Sequence, residues 1–190
     1  MYKIVTVEDT VRIPPRRFSE ELDKAIISEL ENTIVGRVNK DIGIFLAITE
    51  VDDVGEGRVI RGDGAIYYEA KFKALVYQPM LHEVVEGKVT EILEFGAFVS
   101  CGPMDGLIHV SQITEDYMDY DQKGGVLSGK ESKKVMKVED LVRARIVTIS
   151  LKDRISDSKI GLTMRQPYLG KLEWLDEERK QKKKKASAEK

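Results

Sequence analysis

Apolar and polar residues alternate from the first positions of the chain. Tyr2, Ile4, Val5 and Val7, then Val11 and Ile13 after the polar Glu8-Asp9-Thr10, predict a half-buried, slightly irregular strand. Pro14-Pro15 stops it, because proline removes a ladder donor and fixes φ. The period then lengthens to four. Phe18, Leu22, Ile26 and Leu30, with Ala25 and Ile27 beside them, predict a helix. Glu20, Glu21 and Asp23 sit in its first turn, where the dipole favours anions, and Gly36 terminates it. From Gly36 to Gln78 the period is two again. Strands are expected over 43–51, 57–62 and 65–77, separated by Asp52-Asp53, Gly55 to Gly57 and Gly62-Asp63-Gly64. In the last of them Ile66, Tyr68, Ala70, Phe72 and Ala74 oppose Tyr67, Glu69, Lys71 and Lys73. Residues 1–78 therefore read as a small α+β unit of one strand, one helix and an antiparallel sheet, with Pro79 as a seam.

Beyond the seam, short strands with glycine turns and no helical period fill residues 82–114. A polar stretch follows over 115–134, whose Gly124-Gly125 and Ser128-Gly129 predict a long loop. Strand patterns resume over 140–153 and 159–165. About five short strands in some 80 residues suit a small closed barrel better than a sandwich. The remainder starts as a short helix anchored by Leu172, Trp174 and Leu175, and the run Lys182 to Lys185 predicts a disordered end. The domain reading is 1–80, 81–170 and a tail over 171–190.

Charge changes the picture locally. The net charge is −2. Residues 1–83 carry 11 basic and 15 acidic side chains, residues 84–170 carry 12 and 13, and residues 171–190 carry 8 and 5. The body is thus no basic slab for wrapping duplex DNA, and any nucleic-acid contact must come from a local patch. The single cysteine, Cys101, excludes an internal disulfide framework and a zinc site of paired cysteines. No apolar run approaches the roughly 20 residues of a membrane span, and the first residues lack the apolar stretch of a secretory signal. A cytoplasmic location is expected.

The chemistry-bearing pattern lies in the second domain. Gly87, Val89, Ile92, Phe95-Gly96-Ala97-Phe98-Val99 and then Gly106-Leu107-Ile108-His109-Val110-Ser111 resemble the RNA-binding OB domain repeated in the largest small-subunit ribosomal protein and found in several exonucleases. Gly87 and Gly96 allow tight bends at barrel corners. Phe95, Phe98 and His109 are flat rings beside glycine-bent backbone, suited to stacking on unpaired bases at ~1–3 kcal/mol each. Packing inward is the alternative for the two phenylalanines, and capping a strand is the alternative for the histidine. Arg143 and Arg145 share one face of the strand LVRARIV, opposite Val142, Ala144 and Ile146, and are candidates to neutralise phosphates beside the rings. Lys88 and Lys159 are further candidates. The family usually carries Gly-Asp before the fourth strand, where this chain has Glu139-Asp140, and its loop between the third and fourth strands is long.

Taken with the amino-terminal β-α-β pattern, the segments FKALVYQPMLHEVVEGKV, GPMDGLIHVSQI and KIGLTMR closely resemble the larger stalk subunits of archaeal DNA-directed RNA polymerases, the E-prime family, counterparts of the seventh subunit of eukaryotic RNA polymerase II. The resemblance implies an α+β fold: a small β-α-β-rich domain with an antiparallel sheet, then a five-stranded OB-type barrel. It implies a non-catalytic subunit that pairs with a small helical subunit, called F in archaea. That pair would dock on the polymerase core near the clamp and meet the emerging single-stranded RNA, supporting initiation and elongation. The acidic amino domain suits protein docking, with Thr10 to Arg17 and Val54 to Gly64 as candidate tip loops. The competing reading is a freestanding OB-fold factor in translation or RNA decay.

Nothing in the sequence predicts catalysis by the chain alone, a metal or a cofactor. His82 and His109 are the only histidines and lie 27 positions apart, without ligand clusters at metal spacing. No phosphate-binding glycine loop is present. Phe95, Phe98, His109, Arg143 and Arg145 are thus expected to hold single-stranded RNA weakly, without base preference and with marked salt dependence.

Overall fold

A computed structural model of the chain describes residues 1–121 and 124–188, with side chains up to Lys180. The chain divides into two units, Met1–Gln78 with Leu151–Asp157, and Pro79–Ser150 with Ser158–Lys190.

The first unit is built on β1 (Tyr2–Ile13), α1 (Leu22–Ile34), β2 (Val38–Asn39), β3 (Gly43–Val54), β4 (Arg58–Val59) and β5 (Ile66–Tyr77). The sheet runs β1-β5-β3-β2, and β4 pairs with β5. β5 is central, matched over its whole length by β1 from Tyr2↔Tyr77 to Ile13↔Ile66. The apolar face read from β5 is the buried one: Ala70, Phe72, Ala74 and Val76 pack with Val11, Ile13, Phe45 and Ile48 under α1. From α1 come Ala25, Ile26, Leu30 and Ile34.

The start of α1 departs from the sequence pattern. Phe18 and Leu22 are exposed, and the helix begins only at Leu22. Pro15–Arg17 instead form a 3-10 turn with proline at its start, which carries Phe18 outside the helix. Arg17 then donates to Glu29 of α1 and tethers the turn. The predicted strand over 57–62 shortens to Arg58–Val59.

The second unit contains β6 (Val84–Leu93), β7 (Gly96–Ser100), β8 (Asp105–His109), β9 (Met118–Asp121), β10 (Val126–Gly129), β11 (Val135–Met136), β12 (Leu141–Ser150), β13 (Lys159–Thr163), β14 (Gly170–Lys171) and α2 (Leu172–Ala188). The order β13-β8-β7-β6-β12, with β12 returning to β13, closes a five-stranded barrel, and β14 adds to β12. The β8–β13 pair is parallel and the other barrel pairs are antiparallel. Val89, Ile92, Ala97, Val99, Ile108, Val142, Ala144, Ile146, Ile160 and Leu162 fill the interior. Trp174 and Leu175 bury the first turn of α2. The backbone of α2 continues through positions 182–185, which the sequence assigns to a disordered end, and the lysine side chains of that run lie outside the described residues.

The stretch over 115–134 is not the long loop that its glycines suggest. It begins a three-stranded sheet, β11-β10-β9, that buries Met118, Leu127 and Met136. Asp116 pins its turn, accepting hydrogen bonds from Glu131 N–H at 3.0 Å, Ser132 N–H at 2.9 Å and Ser132 Oγ at 2.9 Å.

Candidate nucleic-acid interface

The register of β6, β7 and β8 decides what the outer barrel face presents. Ala97, Val99 and Ile108 point inward, so Phe98 and Leu107, which are paired, point outward. On its other side Phe98 faces Glu91 of β6 across a bulge between Val89 and Glu91. Phe95 lies in the turn between β6 and β7 and keeps 48% of its surface exposed. The two phenylalanine rings meet edge to face, 6.4 Å between centroids at 88°. The inward-packing alternative therefore fails for Phe95, while Phe98 is half-buried on the outer side.

Gly96, opposite His109, permits this turn, because a Cβ there would meet the Ile108 carbonyl oxygen. Val110 N–H donates to Phe95 O at 2.9 Å and fixes the turn against β8. His109 is exposed and caps the 3-10 turn Val110–Gln112, its Nδ1 accepting from Ser111 N–H at 3.2 Å. In the neutral ring that acceptor role leaves the proton on Nε2. The histidine is thus both a cap and an exposed ring beside the phenylalanines.

The predicted cations do not gather around these rings. Arg143 faces Glu86 and donates to it from Nε at 2.8 Å. Glu86 and Glu91 are five residues apart on β6, which puts Arg143 roughly 16 Å along the strand from the Phe98 row. Arg145 faces Val84 and Thr163, and its Nε is buried without a hydrogen bond. Lys88 pairs with Glu139. Lys159 is exposed and, like Asp105, immediately precedes a residue of the Ile160↔Gly106 pair. The expected cluster of arginines beside the rings is instead a pair on β12, facing Glu86 and Val84 at the far end of β6 from the Phe98 row. The cause is cross-strand pairing with residues some 60 positions away, which a strand pattern cannot reveal.

Sequence reasoning also missed a cleft of about 590 Å³ next to Phe95, lined by Glu94, Ser111, Asp119, Tyr117, Tyr120 and Arg165 among others. Lys130 Nζ lies 4.5 Å from the centre of the Tyr117 ring at its rim. The acidic residues here were visible in the sequence, but only the β9–β11 sheet brings them against the barrel.

Comparison with known proteins identifies both units. Residues 8–64 match the family model described as the SHS2 domain found in the N terminus of Rpb7p/Rpc25p/MJ0397, and residues 78–159 match the S1 RNA binding domain. The DNA-directed RNA polymerase subunit Rpo7 of Saccharolobus shibatae is 44% identical over 95% of this chain and 100% of its own length. The chain belongs to the Rpo7 family. The Rpo7 of Sulfolobus acidocaldarius is likewise 44% identical, over 94% of this chain and 97% of its own. The DNA-directed RNA polymerase II subunit rpb7 of Dictyostelium discoideum is 29% identical over 90% of this chain and 98% of its own. Membership makes the chain a non-catalytic subunit of DNA-directed RNA polymerase, whose partners are other polymerase subunits, and sets aside the freestanding factor. Among the described residues no helix is long and apolar enough to cross a membrane.

Proposed function

We propose that this Rpo7-family protein pairs in the cytoplasm with the small helical partner of the polymerase stalk, docks on the polymerase core near the clamp through its first unit, and guides single-stranded nascent RNA over the outer face of its barrel during initiation and elongation. The observation that carries the RNA half is the Phe95–Phe98 pair: a half-exposed ring braced edge-on by a second, beside the ring of His109, on a barrel of the S1 RNA binding class. Rings so held stack on any base, and sequence-tolerant contact suits a transcript that moves. Arg145 and Lys159 flank the barrel face as secondary contacts, while Arg143 and Lys88 are occupied by Glu86 and Glu139.

Docking is supported by the segment formed by β4 and the loop after it. Val59, in β4, and Ile60, just after it, are 70% and 53% exposed and present adjacent apolar side chains to a partner. The segment that carries them is anchored at Asp63, which accepts from Arg12 Nη2 at 2.7 Å and from Tyr67 Oη at 2.6 Å. A rigid apolar tip is what insertion into another protein requires.

The test is reconstitution. The tagged chain should recover the large polymerase subunits and one small helical partner from its native lysate, and a Val59→Asp, Ile60→Asp variant should lose the core while keeping the small partner. In elongation complexes, a photoreactive nucleotide in the emerging transcript should crosslink to the face bearing Phe95 and Phe98. Crosslinks confined to other polymerase subunits would overturn the RNA half, and full core recovery by the variant would overturn the docking half.

A further inference from the structure

Among the described residues, the charged ones paired with or flanking the aromatic rings are negative. Glu91 stands directly opposite Phe98, Glu94 precedes Phe95 and lines the adjoining cleft, and Asp105 lies diagonal to Phe98 next to Leu107. Directly opposed residues have Cβ atoms about 5 Å apart, and diagonal ones about 7–8 Å. The cations of this region are farther off or engaged. Arg143 and Lys88 are in ion pairs, and Arg145 faces Thr163, one strand beyond β8. Arg165 shares the cleft with Glu94, Glu115, Asp116 and Asp119, and Lys159 stands beside the position of Asp105. An ordinary nucleic-acid surface has the opposite arrangement, with cations against the stacking rings.

We infer that Glu91 and Glu94 set how firmly this face holds RNA: they repel the phosphates of a strand whose bases stack on Phe95 and Phe98, so that contact is made by the bases and released readily. The inference rests on the RNA reading of the same face. Its signature is the salt dependence. Phosphate-binding surfaces lose affinity as salt rises, because counterions compete. A face flanked by carboxylates gains or stays level, because salt screens the repulsion over a Debye length of about 10 Å at 0.1 M. In water, a unit charge held about 7 Å from a phosphate changes affinity by roughly threefold, so two carboxylates give up to about tenfold.

The experiment is fluorescence anisotropy of the full chain with a short fluorescein-labelled oligouridylate, at about 50 mM and about 500 mM salt. The double variant Glu91→Gln, Glu94→Gln should bind roughly tenfold tighter than the wild type at the lower salt, with the gap closing at the higher. A control, Glu31→Gln with Glu56→Gln in the first unit, makes the same change in net charge and should bind as the wild type does. If the wild type binds and the Glu91/Glu94 variant binds no better, or if the control tightens equally, the inference is overturned. If neither the wild type nor the variant binds the oligonucleotide at either salt, the RNA reading itself falls. Binding by the variant alone would support the inference in its strongest form.

Discussion

Phe95 presents its ring edge-to-face against Phe98, 6.4 Å from centre to centre, and the two differ in burial: Phe95 is half-exposed in a turn while Phe98 is braced between Glu91 and Leu107. The pair therefore separates binding from stability. Phe95→Ala should leave the melting temperature nearly unchanged and weaken oligonucleotide binding by the ~1–3 kcal/mol of one lost stack. Phe98→Ala should weaken binding by a similar amount and lower the melting temperature modestly, with the barrel still folded by circular dichroism. Normal binding by Phe95→Ala together with unfolding of Phe98→Ala would mean that the rings serve only packing.

Glu139 holds a left-handed backbone, φ +79°, the region that favours glycine. That conformation costs a residue with a Cβ about 1–2 kcal/mol. Its N–H donates to Val89 O at 2.8 Å, so the barrel requires the bend whatever the side chain. Glu139→Gly should stabilise the second unit by about 1 kcal/mol despite losing the pairing with Lys88, itself an exposed contact. A lowered melting temperature in thermal denaturation would show that the Lys88 pairing outweighs the strain.

Acid should loosen the β9–β11 sheet before the barrel. The Asp116 carboxyl is held below its ordinary value of 3.8, chiefly by the Ser132 N–H and then by the Ser132 hydroxyl and Glu131 N–H. A depressed carboxyl favours the ionised form in the fold. Its stabilising effect is complete above the ordinary value and fades as pH falls from there toward the depressed one. Amide protection at Glu131 and Ser132, followed by NMR, should hold from neutral pH to about 4 and drop below it. In Asp116→Ala, which removes the acceptor, it should be low at every pH.

Alkali acts on Cys101. Burial pushes its thiol from 9.0 up to about 11, so the neutral form is the folded one. Its contribution is complete below the ordinary thiol value and is lost as pH rises toward the raised one. The difference in melting temperature between the wild type and Cys101→Ala should be constant up to about pH 8.5 and shrink from there to about pH 11. At pH 8 the thiol should react slowly with a disulfide reagent in the native protein. Rapid labelling at that pH would contradict the burial.

Elements carried by a regular period were legible in the sequence. The buried face of β5 follows from alternation, and Gly96 from the turn it makes beside Phe95, while Gly87 serves the close approach of Ser100 rather than a bend. The β9–β11 sheet was not legible, because Met118, Leu127 and Met136 stand nine residues apart in polar surroundings, too sparse to make a period. Nor was the late start of α1, where a proline turn overrides an apolar repeat that reaches back to Phe18. At the candidate site the rings were legible from their glycine neighbours. The charge around them was not. Strict alternation in β6 would turn Glu91 away from the face that carries Glu86 and Lys88, and the bulge after Val89 brings it opposite Phe98 instead.

The parallel pairing of β13 with β8 also governs when the barrel becomes complete. β8 ends at His109 and β13 at Thr163, so 54 residues separate the last partner from the strand it must join. At about 5–20 residues per second a ribosome needs roughly 3–11 s to deliver them. During that interval one edge of β8 has no neighbour, and it is a short edge with a charged residue, Asp105, at its start. The β9–β11 sheet emerges in the meantime from contacts close in sequence, which form fast. The order of synthesis thus leaves β8 with one unpaired edge, short and charged at its start, until β13 is delivered.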